Sequence, residues 1–124
     1  MPHAAREHAH EVHPEVVREV RAAALDERAQ RDVSRVFKLL GDPTRSRLLY
    51  ALLDAHEVCV CDLAAATGLA EATVSQALRL LRASDVVVAR RDGRLAYYRL
   101  ADEHVRLLLD VARRHVAHPV GAGS

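Results

Sequence analysis

Apolar residues in this chain recur mostly at intervals of three and four, the spacing of one helical face, and change to alternation near the end. From Pro14 the run Val16, Val17, Val20 and Leu25 reads as a helix. A proline suits its first turn, where a backbone N–H has no partner to lose. A second helix is predicted around Asp32–Leu40, with Val33, Val36, Phe37 and Leu40 at helical spacing and Gly41 ending it. Asp42 and Pro43 then restart the chain as N-cap and first helical residue. The apolar stripe of this third helix is Leu48, Leu49, Leu52 and Leu53.

The stretch "CDLAAATGLAEATVSQALRLLRASD" predicts two short helices around a turn. Leu63 and Ala66 face inward on the first, Gly68 permits the turn, and Leu69 plugs the corner. Val74, Leu78 and Leu81 face inward on the second, which spans about Glu71–Arg82. Val86–Val88 and Leu95–Leu100 then read as strands, with Asp92-Gly93 as a hairpin-turn signal between them. Asp102–His118 closes the order as an amphipathic helix. Helix-turn-helix, hairpin and final helix make a winged helix-turn-helix, mainly α with a small β-hairpin. Residues 1–13 read as a flexible His-rich arm, 14–118 as the DNA-binding and dimerisation domain, and 119–124 as a disordered tail.

Composition changes this picture in three places. The 124 residues suit one domain or one protomer of a small dimer, and half of them are hydrophobic, enough for a core. The net charge of +1 gives no argument for nucleic acid, but Glu71–Arg99 holds six arginines against three acids, a local excess of +3. No run approaches the roughly 20 apolar residues of a membrane span. The polar start "MPHAAREHAHEVHPE" lacks a signal core, which implies a cytoplasmic protein.

The second helix of such a motif lies in the major groove. Its expected outward residues here are Thr73, Ser75, Gln76 and Arg79, with Arg82 nearer the DNA backbone. Gln and Arg match adenine and guanine edges bidentately, and Ser and Thr bond bases or phosphates. The hairpin adds Arg90, Arg91 and Arg94. The alternative is a solvated surface helix, or a winged helix that only docks proteins.

The final helix carries Asp102 and His104 at its start and His115 and His118 at its end. Thirteen residues at ~1.5 Å each separate Asp102 from His115 by roughly 20 Å, so one straight helix cannot bring both pairs to one ion. Two copies can. If the final helices pair antiparallel across a two-fold axis, Asp102 and His104 of one protomer meet His115 and His118 of the other. Three nitrogens and one oxygen then form each of two sites, a set that suits Zn(II), with Co(II) by mimicry. Val105, Leu108, Leu109, Val111 and Ala112 would form the seam. Each half alone also has an ordinary reading: Asp102 as N-cap, and the histidines favouring a helix C-terminus.

With those residues in place, the chain resembles the ArsR–SmtB family of metal-responsive winged-helix repressors. The resemblance covers about Asp32–His118 and is carried by "LLGDPTRSRLLYAL", "EVCVCDLAAATGLAEATVSQALRLLRASDVV" and "RDGRLAYYRL". Asp102-x-His104 followed by His115-x-x-His118 is similar to the zinc site on the family's C-terminal helix. The resemblance implies an apo homodimer that binds operator DNA and a metal-bound form that releases it. It also implies that metal and DNA weaken each other's binding equally.

Cys59 and Cys61 are too close for an unstrained disulfide, so they point to metal or redox chemistry. "CVCDL" resembles the thiol pair of cadmium, lead and arsenite sensors. It departs from them in having Ala64 where arsenite sensors carry a third cysteine, and an arm of His3, His8, His10 and His13 where cadmium and lead sensors carry cysteines. A second candidate site thus joins Cys59 and Cys61 of one protomer to His8, His10 and His13 of the other and would suit Zn(II) or Cd(II). The pair also reads as two small apolar residues, and the arm as a plain polar tail.

Three rival functions remain at this point. Catalysis is disfavoured: "HEVH" spaces its histidines three apart, not the four a zinc protease requires, and no nucleophile–base pair stands out. A thiol-redox repressor would use Cys59 and Cys61 as its switch. A DNA-binding or protein-docking module with an inert final helix would ignore metal.

Overall fold

The computed structural model describes residues 10–118. The chain divides into two units, residues 1–33 and 34–124.

In the first unit, helix α1 spans Pro14–Ala23 with Pro14 in its first turn. It has no buried residue. Leu25 lies beyond it, outside any helix. Helix α2, Glu27–Leu40, crosses the boundary at 33/34 and begins five residues before the expected Asp32. The cause is Asp26, whose Oδ1 accepts the Ala29 N–H at 2.8 Å. That is N-capping, and it fixes where a helix starts.

The second unit holds the core. Helix α3, Pro43–Ala55, starts as expected, with Asp42 Oδ2 accepting the Arg45 N–H at 3.0 Å. Strand β1 is only Val58–Cys59, and helix α4, Val60–Thr67, follows at once. Gly68 turns the chain at φ 75°, a left-handed angle that costs a glycine little. Helix α5, Glu71–Ala83, completes the helix-turn-helix. Strands β2, Val87–Asp92, and β3, Leu95–Leu100, form the wing, and helix α6, Glu103–Ala117, ends the described chain.

The sheet has three strands, not the two expected, in the order β1-β3-β2. Both neighbours run antiparallel to β3, with Val58 opposite Tyr98 and Val87 opposite Leu100. Asp92 pairs with Leu95, so the two-residue loop is Gly93-Arg94, one position later than expected. Positive φ at Gly93 but not at Arg94 is the pattern of a type II′ turn.

Leu48, Leu49 and Leu52 of α3, Leu63 of α4, and Val74, Leu78 and Leu81 of α5 are fully enclosed. Each contributes about 1.5–3 kcal/mol through burial. Val87 and Leu100 close the core from the sheet, Val86 from the bend before β2 and Leu109 from α6. One expectation fails here. Ala66 is exposed and Ala64 takes the inward position, because α4 begins at Val60 and its buried face is Leu63 with Ala64. Val33 and Phe37 keep helical spacing, yet both are exposed.

Candidate DNA interface and metal-ligating helix

Helix α5 buries Val74, Ala77, Leu78 and Leu81 on one side. That orientation turns Thr73, Gln76, Arg79 and Arg82 outward, with Ser75 half-buried. The outward set divides between two grooves. Ser75, Arg79 and Arg82 face one with Tyr98 of the wing. Thr73 and Gln76 face another with Asp42, Thr44 and Arg45 at the start of α3. Leu80 joins that second groove as an exposed apolar residue. The start of α3 therefore flanks α5, a juxtaposition that requires tertiary contacts and has no local sequence signal.

At the wing, Arg91 and Arg94 are exposed, and Arg91 Nη1 donates to the Arg94 carbonyl at 3.5 Å. Arg90 differs from the expectation that grouped it with them. Its Nε and Nη2 donate to the two carboxylate oxygens of Glu57 at 2.9 and 2.8 Å. Its guanidinium also lies 5.0 Å from the Tyr97 ring centroid. The bonds from Arg90 hold the Glu57 carboxyl below its ordinary range and push the guanidinium of Arg90 further up.

On α6, Asp102 caps the helix through Oδ1, which accepts the Val105 N–H at 3.0 Å. The same oxygen is 3.8 Å from His104 Nδ1. His104, Leu107, Leu108, Val111 and His115 recur at intervals of three and four, so they share one face. Leu107, Leu108 and Val111 are 61%, 36% and 53% exposed. His115 and His118 are exposed as well. The expected seam needs correction here. Leu109 is 4% exposed and Val105 packs against the same core, so both serve the protomer itself. Leu107 takes their place on the outward face.

The opposite face of α6 is fastened to α3. Tyr50 Oη donates to the Leu109 carbonyl at 2.8 Å, and Arg106 Nη2 to the Leu53 carbonyl at 3.2 Å. Arg113 pairs with Asp54 at 3.1 Å and lies over the Tyr50 ring. Its hydrogen bond holds the Asp54 carboxyl below the usual range.

Both cysteines are free thiols. Cys59 is buried in β1 opposite Tyr97, while Cys61 is exposed in the first turn of α4. The negative charge of Glu71 at the start of α5 pushes the Cys61 thiol up. His10 and His13 are exposed in the first unit, with His13 Nδ1 3.8 Å from Glu15. His8 lies outside the described residues, as do residues 119–124. Among the described residues, no three His, Cys, Asp or Glu side chains gather where they could hold one ion. No helix among them is long and apolar enough to cross a membrane.

Residues 42–88 match the bacterial regulatory protein, arsR family. Over 105 residues the chain is 43% identical to a transcriptional repressor SmtB homolog of Synechocystis sp., covering 85% of this chain and 79% of that protein. The chain belongs to the ArsR–SmtB family. A second relative in this family of metal-responsive repressors is a cadmium resistance transcriptional regulatory protein CadC homolog of Staphylococcus aureus. It is 44% identical over 68% of this chain and 69% of its own length. Among solved structures, the homodimeric winged helix-turn-helix DNA-binding domain Mb0332 of Mycobacterium bovis aligns with a TM-score of 0.67 and 35% identity. That alignment covers 80% of this chain and 96% of the other. ArsR–SmtB proteins are DNA-binding regulators rather than enzymes.

Proposed function

We propose that this ArsR–SmtB protein is a zinc-type sensor whose apo homodimer represses an operator and lets go when a divalent ion binds between the C-terminal helices. The observation that carries the reading is the outward face of α6. An exposed apolar centre, Leu107, Leu108 and Val111, is flanked by His104 at one end and His115 at the other. Such a face is complementary to a second copy of itself laid antiparallel. That pairing places Asp102 and His104 of one protomer beside His115 and His118 of the next, a set that neither end supplies alone. Three imidazoles and a carboxylate fit Zn(II). An ion held there would tie the start of one helix to the end of the other.

The chain's own residues supply the rest. Thr73, Ser75, Gln76 and Arg79 read base edges, and Arg82, Arg91 and Arg94 meet the backbone. The fastening of α6 to α3 connects the ligand-bearing helix to the one whose start flanks α5.

A second reading is a Cd(II), Pb(II) or redox response through Cys59 and Cys61. The exposed Cys61 and the likeness to a cadmium resistance regulator favour it. Anaerobic Co(II) titration separates the two. The first reading expects tetrahedral visible bands without sulfur charge transfer, abolished by His115→Ala with apo DNA binding intact. A strong sulfur-to-cobalt band that survives His115→Ala overturns it.

A further inference from the structure

We propose that Glu57, Arg90 and Tyr97 form an internal brace that fixes the wing, and that Arg90 supports DNA binding through this brace instead of contacting phosphate. Resting on the reading of the wing as DNA-facing, the proposal starts from the sheet register. Strand β1 pairs only Val58 and Cys59 with Tyr98 and Tyr97, while β2 and β3 pair outward as far as Asp92 and Leu95. Cys59, Tyr97 and Arg90 therefore make the last three-stranded row. Beyond it Arg91, Asp92, Leu95 and Ala96 stand in a two-stranded ribbon, which is marginal by itself in water.

The Arg90–Glu57 pair sits at that boundary. Glu57 lies between the end of α3 and the start of β1, in the body of the domain. Both its oxygens are engaged by the planar fork of Arg90, at 2.9 and 2.8 Å. The ring of Tyr97 backs the guanidinium from the central strand. Asp92, 3.9 Å from Nη1, adds a second carboxylate to its surroundings. A phosphate would have to displace a bidentate partner to use this charge. Arg91, one row further out, and Arg94, in the loop, form no ion pair with a carboxylate among the described residues.

Two substitutions separate a brace from a contact, because only the brace predicts that both weaken binding. Binding to a random-sequence DNA duplex is measured by fluorescence anisotropy over a range of salt. Arg90→Lys keeps the charge but loses the fork and the stacking. Glu57→Gln removes a negative charge, which by electrostatics alone would tighten DNA binding. The brace expects both to weaken binding, roughly two- to fivefold, the range of a partly exposed ion pair. It also expects hairpin amides from Arg91 to Ala96 to exchange hydrogen faster in both variants without DNA. Wild-type binding by Arg90→Lys together with tighter binding by Glu57→Gln would overturn it. So would unchanged hairpin exchange in both. Arg91→Ala and Arg94→Ala test the underlying reading separately: each lost phosphate contact makes the slope of log K against log salt about 0.9 less negative. If neither changes the slope, the wing does not face DNA, and the exchange rates alone decide the brace.

Discussion

Helices α5 and α6 are built alike and finished differently. Each is amphipathic, each begins with an acidic residue in its first turn, and each buries one face against the same leucine core. Outward, α5 shows Thr73, Gln76, Arg79 and Arg82, while α6 shows Leu107, Leu108 and Val111 between histidines. A polar, cationic face is at ease in water and gains from meeting phosphates and base edges. An exposed apolar face gains from being covered. The inward halves thus serve one core, and on the proposed function the outward halves suit different partners.

The largest effect that tests this contrast comes from two leucines two residues apart on α6. Leu109→Ala should destabilise the protomer by about 2–5 kcal/mol, since it empties an enclosed site. Leu107→Ala should leave protomer folding almost unchanged but loosen the dimer, seen as dissociation at higher concentration in analytical ultracentrifugation. Equal losses of thermal stability with no change in dimerisation would erase the distinction between the faces.

A smaller effect probes α5. Arg79→Ala should cost roughly 1–3 kcal/mol of discrimination between operator and random DNA, read as a ratio of dissociation constants. A uniform loss on both DNAs would move Arg79 from base reading to backbone contact. The smallest effect concerns the start of α6. Asp102→Asn should keep the cap and stability within a few tenths of a kcal/mol, whereas Asp102→Ala should lose about 1 kcal/mol. Both should weaken Zn(II) binding. Intact zinc affinity in Asp102→Asn would reduce this residue to its capping role.

Much of this architecture was legible in the chain because its signals are local. Asp42-Pro43 starts α3, Gly68 marks the turn, and Leu95–Leu100 is the strand that the alternation predicted. What escaped was set by contacts distant in sequence. Strand β1 has two residues, too few for any period, and exists because β3 offers it an edge. Helical spacing identifies the apolar residues of α6 but not which of them its own core claims, so spacing alone places Leu109 in the seam, where the structure has Leu107 outward instead. Arg90 looked like its neighbours because its partner, Glu57, lies 33 residues away. The start of α2 at Glu27 does have a local signal, the Asp26 cap, which is weaker than the apolar pattern that follows it.

The separation of the two ligand pairs along α6 has a genetic consequence. On the proposed arrangement, each ion is held by the front of one helix and the back of another, so each site draws on two gene copies. A repressor altered at His104 and one altered at His115 would each be blind to the inducer as homodimers. In a mixed dimer, both lesions fall in one site and the other site is whole. Two defective alleles would then restore a responsive repressor together, a complementation between copies of a single gene that follows from roughly 20 Å of helix.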